Sequence, residues 1–444
     1  MTDPFLALRD KIRTISPVRI VGRVQRITDS VIEVSGLQHI AQLGDVVCIQ
    51  SGKKTLEGEV LDVTRDAVLI CPEDRPQQLR LNDLVQLIGP RKIAPSLSWI
   101  GRVVDANGQP IDGLGALSLG TARSIVAEPP SAVARRSFGA QLSTPYCVMN
   151  TFLPLARGQR VGLFAGSGVG KSTLLAGLAC GVQADVNVIA LIGERGREVN
   201  EFISDVLGPD GLAKSIVVVA TSDQSAALRK RAAHTAMTIA EMLRDEGRNV
   251  LFLADSLTRF AEAHRQIALS AGEPAGPDGF PPSTAGHIMQ LCERAGPGAG
   301  YQGDITAVFS VLVAGSDMDG PIADITRGVL DGHIVLERKI AERGRFPAID
   351  LSRSVSRSVQ HVLDQPQRDM LNYVRGLLGH YESSEVMIRA GLYSPGSDPL
   401  LDKAVRVWPD LDAFIGRADG QDIQGCFDDL AKVSEKGSTS LPAD

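Results

Sequence analysis

The run Val161-Gly-Leu-Phe-Ala-Gly-Ser-Gly-Val-Gly-Lys-Ser-Thr173 gathers the residue types that bind phosphate. Gly166, Gly168 and Gly170 let backbone N–H groups turn inward as an anion nest, and a helix starting just beyond them adds its positive end. Lys171 is placed to reach the β- and γ-phosphates of a nucleotide, and the Ser172 hydroxyl to ligate its Mg²⁺. The context agrees, since Val161 to Ala165 suits a buried parallel strand and Leu174 to Ala179 suits a helix. The general pattern has glycine where this chain has Ala165, a change that costs little if φ is negative there. Nucleotide contacts are expected along the whole loop, from Ala165, Gly166, Ser167, Gly168, Val169 and Gly170 to Lys171, Ser172 and Thr173. A dinucleotide fingerprint fits worse, because Lys171 stands where its third glycine belongs.

Two more apolar runs end in carboxylates. Asn249-Val-Leu-Phe-Leu-Ala-Asp255 reads as a buried strand with Asp255 at its carboxyl end, the place for a group that binds Mg²⁺ directly or through water. Val188-Ile-Ala-Leu-Ile-Gly-Glu194 likewise ends where a γ-phosphate should lie, so Glu194 is the candidate for orienting the attacking water, with Glu198 in reserve. The alternative for Glu194, Arg195, Arg197 and Glu198 is a solvated cap on the following helix.

These side chains need a scaffold. At 444 residues there is chain for about two to four domains. The net charge of −6 argues against bulk attraction to nucleic acid or anionic membrane. Six cysteines without a Cys-x-x-Cys fit a reduced cytosolic chain and not a disulfide framework or zinc site. The start of the chain carries no signal-peptide pattern. Its longest charge-free apolar stretches, such as Ile305 to Ser316, fall short of the ~20 residues that span a bilayer.

Residues 3 to 15 form an amphipathic pattern with Phe5, Leu8 and Ile12 on one face. This short helix packs either on its own domain or on a partner. From Pro17 to Gly89, six short strands (Val18–Arg26, Ser30–Leu37, Asp45–Gln50, Leu56–Val63, Ala67–Cys71, Leu84–Ile88) read as a small β-barrel. No aromatic lies between Phe5 and Trp99, so the barrel lacks the stacking rings of a single-strand nucleic-acid binder. After a connecting region that includes Gly101–Gly113, strands and helices alternate to about residue 357. The strands are Val186–Ile192, Ile216–Thr221, Val250–Ala254, Ile305–Ala314 and His333–Leu336, with helices at Gln224–Glu246 and Leu257–Ser270. Such alternation predicts a largely parallel sheet with its ligand at the strands' carboxyl ends. Residues from 361 onward read as helical and Ser434 to Asp444 as a disordered end.

Ala165–Thr173, Gly193–Glu198, Asp255-Ser-Leu-Thr-Arg-Phe260 and Gly101–Gly113 together resemble the hexameric ATPases related to rotary ATP synthase catalytic subunits. Within that group the chain is most similar to the export ATPases of flagellar and type III secretion systems. Gln266-Ile-Ala-Leu, Gly272-Glu-Pro, Pro281-Pro-Ser, Gly328–Leu336, Phe346-Pro-Ala-Ile-Asp350 and Gly396-Ser-Asp-Pro399 carry this likeness. It spans about residues 17 to 415. The Ala165 form of the phosphate loop matches the export ATPases. Thr144–Asn150 departs from their lead-in to the motor, and Ala275–Gly279 is unusually glycine-rich.

The resemblance implies an α/β fold in which a RecA-like P-loop motor (93–360) follows a β-barrel (17–92) and precedes a small helical domain (361–433). A docking helix (1–16) and a tail (434–444) flank them. It implies ATP and Mg²⁺ as ligands, Glu194 as catalytic glutamate, Arg195 beside the phosphates, and Arg357 of Ser354-Val-Ser-Arg357 as an arginine finger reaching the next subunit's nucleotide. Phe346 is then the ring that stacks on adenine, with Tyr393 contributing from the helical domain. The implied protein is a cytoplasmic homohexamer at the periphery of the inner-membrane export apparatus. It would deliver and unfold export substrates. Its implied partners are chaperones and their substrates, the membrane export gate, a stalk-like protein in the pore, and a stator-like negative regulator at the amino-terminal helix, with no nucleic acid. A virulence secretion ATPase and a proton-translocating ATP synthase subunit are the alternatives. An RNA-translocating helicase fits less well with the acidic, aromatic-poor chain.

Overall fold

The computed structural model describes residues 20–28, 30–52, 54–313, 318 and 320–436. The expected helix at 3–15 and the segment 437–444 lie outside them. The chain divides into two compact units.

The first unit contains the described residues up to Lys92, with 224–228 and 263–282. Its six strands are β1 (Val21–Ile27), β2 (Ile32–Ser35), β3 (Asp45–Ser51), β4 (Lys54–Val63), β5 (Val68–Pro72) and β6 (Leu84–Pro90). All neighbours are antiparallel, and the order β1-β2-β5-β4-β3-β6 closes into a barrel, which removes free strand edges. Alternation along each strand turns Val24, Ile32, Val34, Val47, Ile49, Val68, Ile70 and Val85 inward as one apolar core. This barrel is the one read from the sequence. Residues 224–228 and 263–282 group with it, whereas the resemblance put them in the motor region. Their apolar side chains Ala226, Ala227, Ala263 and Ile267 pack with Cys71 and Leu61.

The second unit is built on an eight-stranded sheet. Its strands are β7 (Val103–Asp105), β8 (Arg160–Ala165), β9 (Val186–Glu194), β10 (Ser215–Thr221), β11 (Val250–Asp255), β12 (Ile305–Leu312), β13 (Gly332–Leu336) and β14 (Ile349–Ser356). Across the sheet they run β14-β13-β8-β12-β11-β9-β10-β7. Seven strands are parallel, and β14 pairs antiparallel with β13 at one edge. The central strands are buried on both faces, hence their nearly unbroken apolar runs. The six internal strands follow the sequence reading. The edges β7 and β14 lack that apolar signature: β7 has only three residues and β14 alternates polar and apolar side chains.

Helix α1 (Lys171–Gly181) follows β8, α2 (Ala226–Asp245) precedes β11, and α3 (Leu257–Ser270) follows it. The last helices of the described residues are α4 (Gln365–Arg389), α5 (Pro399–Ile415) and α6 (Ile423–Lys436). Asp364 and Gln367 close a capping box on α4, and Asp398 caps α5 by accepting from the Leu400 and Leu401 amides. Leu371, Val374, Phe414, Phe427 and Leu430 of these helices share one apolar core with Phe152, Leu163 and Leu351. The three helices therefore belong to the same compact unit as the sheet. Helix α6 also runs to Lys436, so Ser434 to Lys436 are helical and correct the expectation that a tail begins at 434.

Candidate active site

Strand β8 lies between β13 and β12, and β11 is the next strand beyond β12. Parallel pairing brings the carboxyl ends of these strands to one rim, where the loop 166–170 leaves β8. Ala165 is the last strand residue, fully buried, with extended backbone, so its methyl group causes no strain. Gly168 and Gly170 adopt φ of 76° and 92°, the left-handed region where a side chain would be strained. Gly170 caps α1, so the first-turn N–H groups of that helix open at the loop. Ser172 and Thr173 stand exposed in this turn.

Three charged groups converge here. The Lys171 ammonium is paired with Asp255 Oδ1 and lies 3.7 Å from Glu194 Oε1. Asp255 is nearly enclosed, with its side chain 5% exposed, and Oδ1 also accepts the Ser310 hydroxyl at 2.7 Å. Glu194 ends β9. Burial, reinforced by the negative charge of Asp255, pushes its carboxyl up to about 7, against the opposing pull of Lys171. A carboxyl tuned toward neutrality beside an ammonium at an anion nest is equipped for proton transfer at a phosphoryl group. The left-handed glycine cradle fits a polyphosphate. The hydroxyl of Ser172 and the carboxylate of Asp255 are hard oxygen donors that suit Mg²⁺.

The remaining expected residues do not all gather at the loop. Phe346 is at the loop: a Cβ on Gly170 would lie 3.5 Å from its ring, which is 54% exposed. Arg195 caps the helix Gly196–Glu201, is 80% exposed and pairs with Glu198 at 3.2 Å. Tyr393 donates its hydroxyl to Asp402 of α5, and among the described residues no hydrogen bond or ring contact joins it to the loop. Arg357 lies at the opposite rim. Its amide donates to Asp331 O, and the Asp331 amide donates to Arg160 O, so it is level with the start of β8. Five residues separate that level from Ala165, about 17 Å of strand. The Arg357 side chain is exposed and makes no hydrogen bond or ion pair among the described residues.

Three neighbours escaped the sequence reading. Arg338 donates to the Ser167 carbonyl at 3.0 Å, bracing the loop from beyond β13. Arg259 packs its stem where a Cβ on Gly193 would sit and pairs with Glu262 at 2.8 Å. Its place four residues after Asp255, in the first turn of α3, was the available signal. Ser310 lies inside the apolar strand β12, where nothing but its hydroxyl marked it.

The sheet order, the glycine cradle and the Lys171–Glu194–Asp255 cluster define a P-loop nucleotide-binding protein of the RecA-like class. Residues 146–356 match the ATP synthase alpha/beta family nucleotide-binding domain, and residues 363–424 the T3SS EscN ATPase C-terminal domain. The flagellum-specific ATP synthase of Caulobacter vibrioides is 42% identical over 91% of this chain and 93% of its own. The type 3 secretion system ATPase of Xanthomonas euvesicatoria is 40% identical over 90% of each. The assembled ATPase EscN of the enteropathogenic E. coli type III secretion system superposes with a TM-score of 0.87 at 37% identity, covering 93% of this chain and all of that one. EscN is also known in complex with its central stalk EscO. This chain belongs to the family of flagellum-specific and type III secretion ATPases, and like them it is an ATP-hydrolysing enzyme.

Proposed function

We propose that this chain is the motor of a flagellar protein-export apparatus, hydrolysing ATP between the subunits of a homohexameric ring. The convergence of Lys171, Glu194 and Asp255 on the glycine cradle carries the catalytic part of this reading. Lys171 exchanges its pairing with Asp255 for the β- and γ-phosphates. Glu194 orients the attacking water and accepts its proton, a task that needs a carboxyl poised near the working pH. Ser172 and Asp255 would hold Mg²⁺, which when bound neutralises charge on the phosphate oxygens. Arg195 borders the phosphates and Phe346 offers its exposed ring face to adenine, while Tyr393, its hydroxyl held by Asp402, would have to be brought to that ring from the helical region. Arg357 is too far from its own loop to serve it. Its exposed guanidinium instead suits the γ-phosphate held by a neighbour, which a head-to-tail ring supplies.

The export assignment rests on relatives of both kinds, with flagellar names predominating. On this reading the ring works in the cytoplasm at the inner-membrane export gate, a stalk-like protein enters its pore, and chaperones deliver substrates to it. A stator-like regulator docks on residues 3–15. No helix among the described residues is long and apolar enough to cross a membrane. Glu194→Gln tests the chemistry: it should bind ATP as wild type does and lose at least about 100-fold in turnover. Near-normal turnover would move the role to another carboxylate. Loss of motility on deletion of the chain, with restoration by wild type and not by Glu194→Gln, would support the flagellar assignment; unaffected motility would favour a virulence system.

A further inference from the structure

Strand β12 is apolar from Ala307 to Leu312 except for Ser310, which is wholly buried. A buried hydroxyl must spend its hydrogen on an acceptor. The parallel register between β11 and β12 decides which: Ala254 pairs with Phe309, so the next step sets Asp255 beside Ser310. The Ser310 hydroxyl donates to Asp255 Oδ1 at 2.7 Å. The same oxygen accepts from Lys171. Two donors thus share one carboxylate oxygen, and one of them, Lys171, belongs to the flexible stem that must turn toward phosphate. Ser310 is fixed in the middle of the sheet, between β8 and β11.

We propose that Ser310 is the positioning residue of Asp255, holding Oδ1 after Lys171 leaves so that the carboxylate stays oriented toward the nucleotide's divalent cation. This rests on the reading of the loop as an Mg-nucleotide site. The physical reason is that a carboxylate bound by one departing lysine alone could rotate about its terminal torsion. A short hydroxyl donor from a neighbouring strand holds one oxygen and leaves the other for the cation or its water. Ser310 acts through Asp255 and touches no reacting atom.

The test titrates a fluorescent ATP analogue into wild type, Ser310→Ala and Ser310→Thr, first with chelator and then at increasing MgCl₂. Ser310→Ala leaves a small side chain in the core, and thermal unfolding checks that it is folded. Its magnesium-free affinity should match wild type, while the MgCl₂ concentration giving half of the magnesium effect rises about tenfold or more. Ser310→Thr, which keeps the hydroxyl, should recover most of that shift. Half-effect concentrations within about twofold of wild type in Ser310→Ala would overturn the inference, as would equal losses with and without magnesium, which mark a purely structural serine. If wild type binds the analogue but its affinity ignores magnesium, the inference falls while the nucleotide site stands. If wild type binds none, the reading of the site falls with it.

Discussion

Removing the Arg357 guanidinium should stop hydrolysis without touching the nucleotide site of the same chain. Arg357 lies level with Arg160, five strand residues below Ala165, so about 17 Å of sheet separates it from its own loop. Arg357→Ala should therefore bind an ATP analogue with wild-type affinity. A finger delivered between subunits contributes about 10³-fold or more to turnover, or about 4 kcal/mol of barrier. Lys171→Ala should be inactive for the opposite reason, having lost its phosphate contact but kept its finger. If the two variants are mixed in equal amounts before assembly, a productive interface needs intact Lys171 on one side and intact Arg357 on the other. Random assembly in a ring provides that at about one interface in four. Phosphate release by the mixture should then reach about a quarter of wild type, far above either variant alone, and should rise with protein concentration. A mixture no more active than the sum of its parts, or Arg357→Ala within a few-fold of wild type, would refute the reasoning.

Other consequences follow from buried charge. Arg294 is 1% exposed and spends its guanidinium on both Glu241 oxygens (2.9 and 2.6 Å), the Ile125 carbonyl, the Thr238 hydroxyl and the His234 ring. Glu241→Ala leaves that cation uncompensated and should cost about 3–5 kcal/mol, whereas Glu241→Leu with Arg294→Met should cost far less. Urea unfolding of the three proteins checks this, and a single-variant loss below about 1 kcal/mol would contradict it. At the head of β7, Arg102 forks onto Asp112 at 2.7 and 2.8 Å, and this contact holds the Asp112 carboxyl well below the usual carboxylate range. A folded-state pKa depressed in this way gives stability that is full above the unfolded value of about 3.9 and lost as pH falls below it. The thermal midpoint of wild type should therefore exceed that of Asp112→Asn above about pH 5, with the gap closing below about pH 4. A gap that widens on acidification would reverse the sign.

Sequence alone determined the elements whose physics is local. Alternating apolar residues between turn residues make barrel strands at one period only, and they are the β1–β6 observed. Unbroken apolar runs ending in Glu194 and Asp255, alternating with helical stretches, suit a covered parallel sheet, and the observed pairing puts both carboxylates at the rim where Gly166 to Gly170 open. The tertiary structure decided what depends on register and crossing order. Ser310 reaches Asp255 because β12 inserts between β8 and β11, although 55 residues separate the two side chains in the chain. Arg338 finds the Ser167 carbonyl across 171 residues because β13 pairs with β8 on its other side and sets Leu336 beside Ala165. The raised carboxyl of Glu194 also needed the fold, since desolvation and the charge of Asp255 act through space. Arg357 illustrates the division most clearly. Its residue type was legible in Ser354-Val-Ser-Arg357, but only the antiparallel turn of β14 carries it to the far rim, away from its own loop.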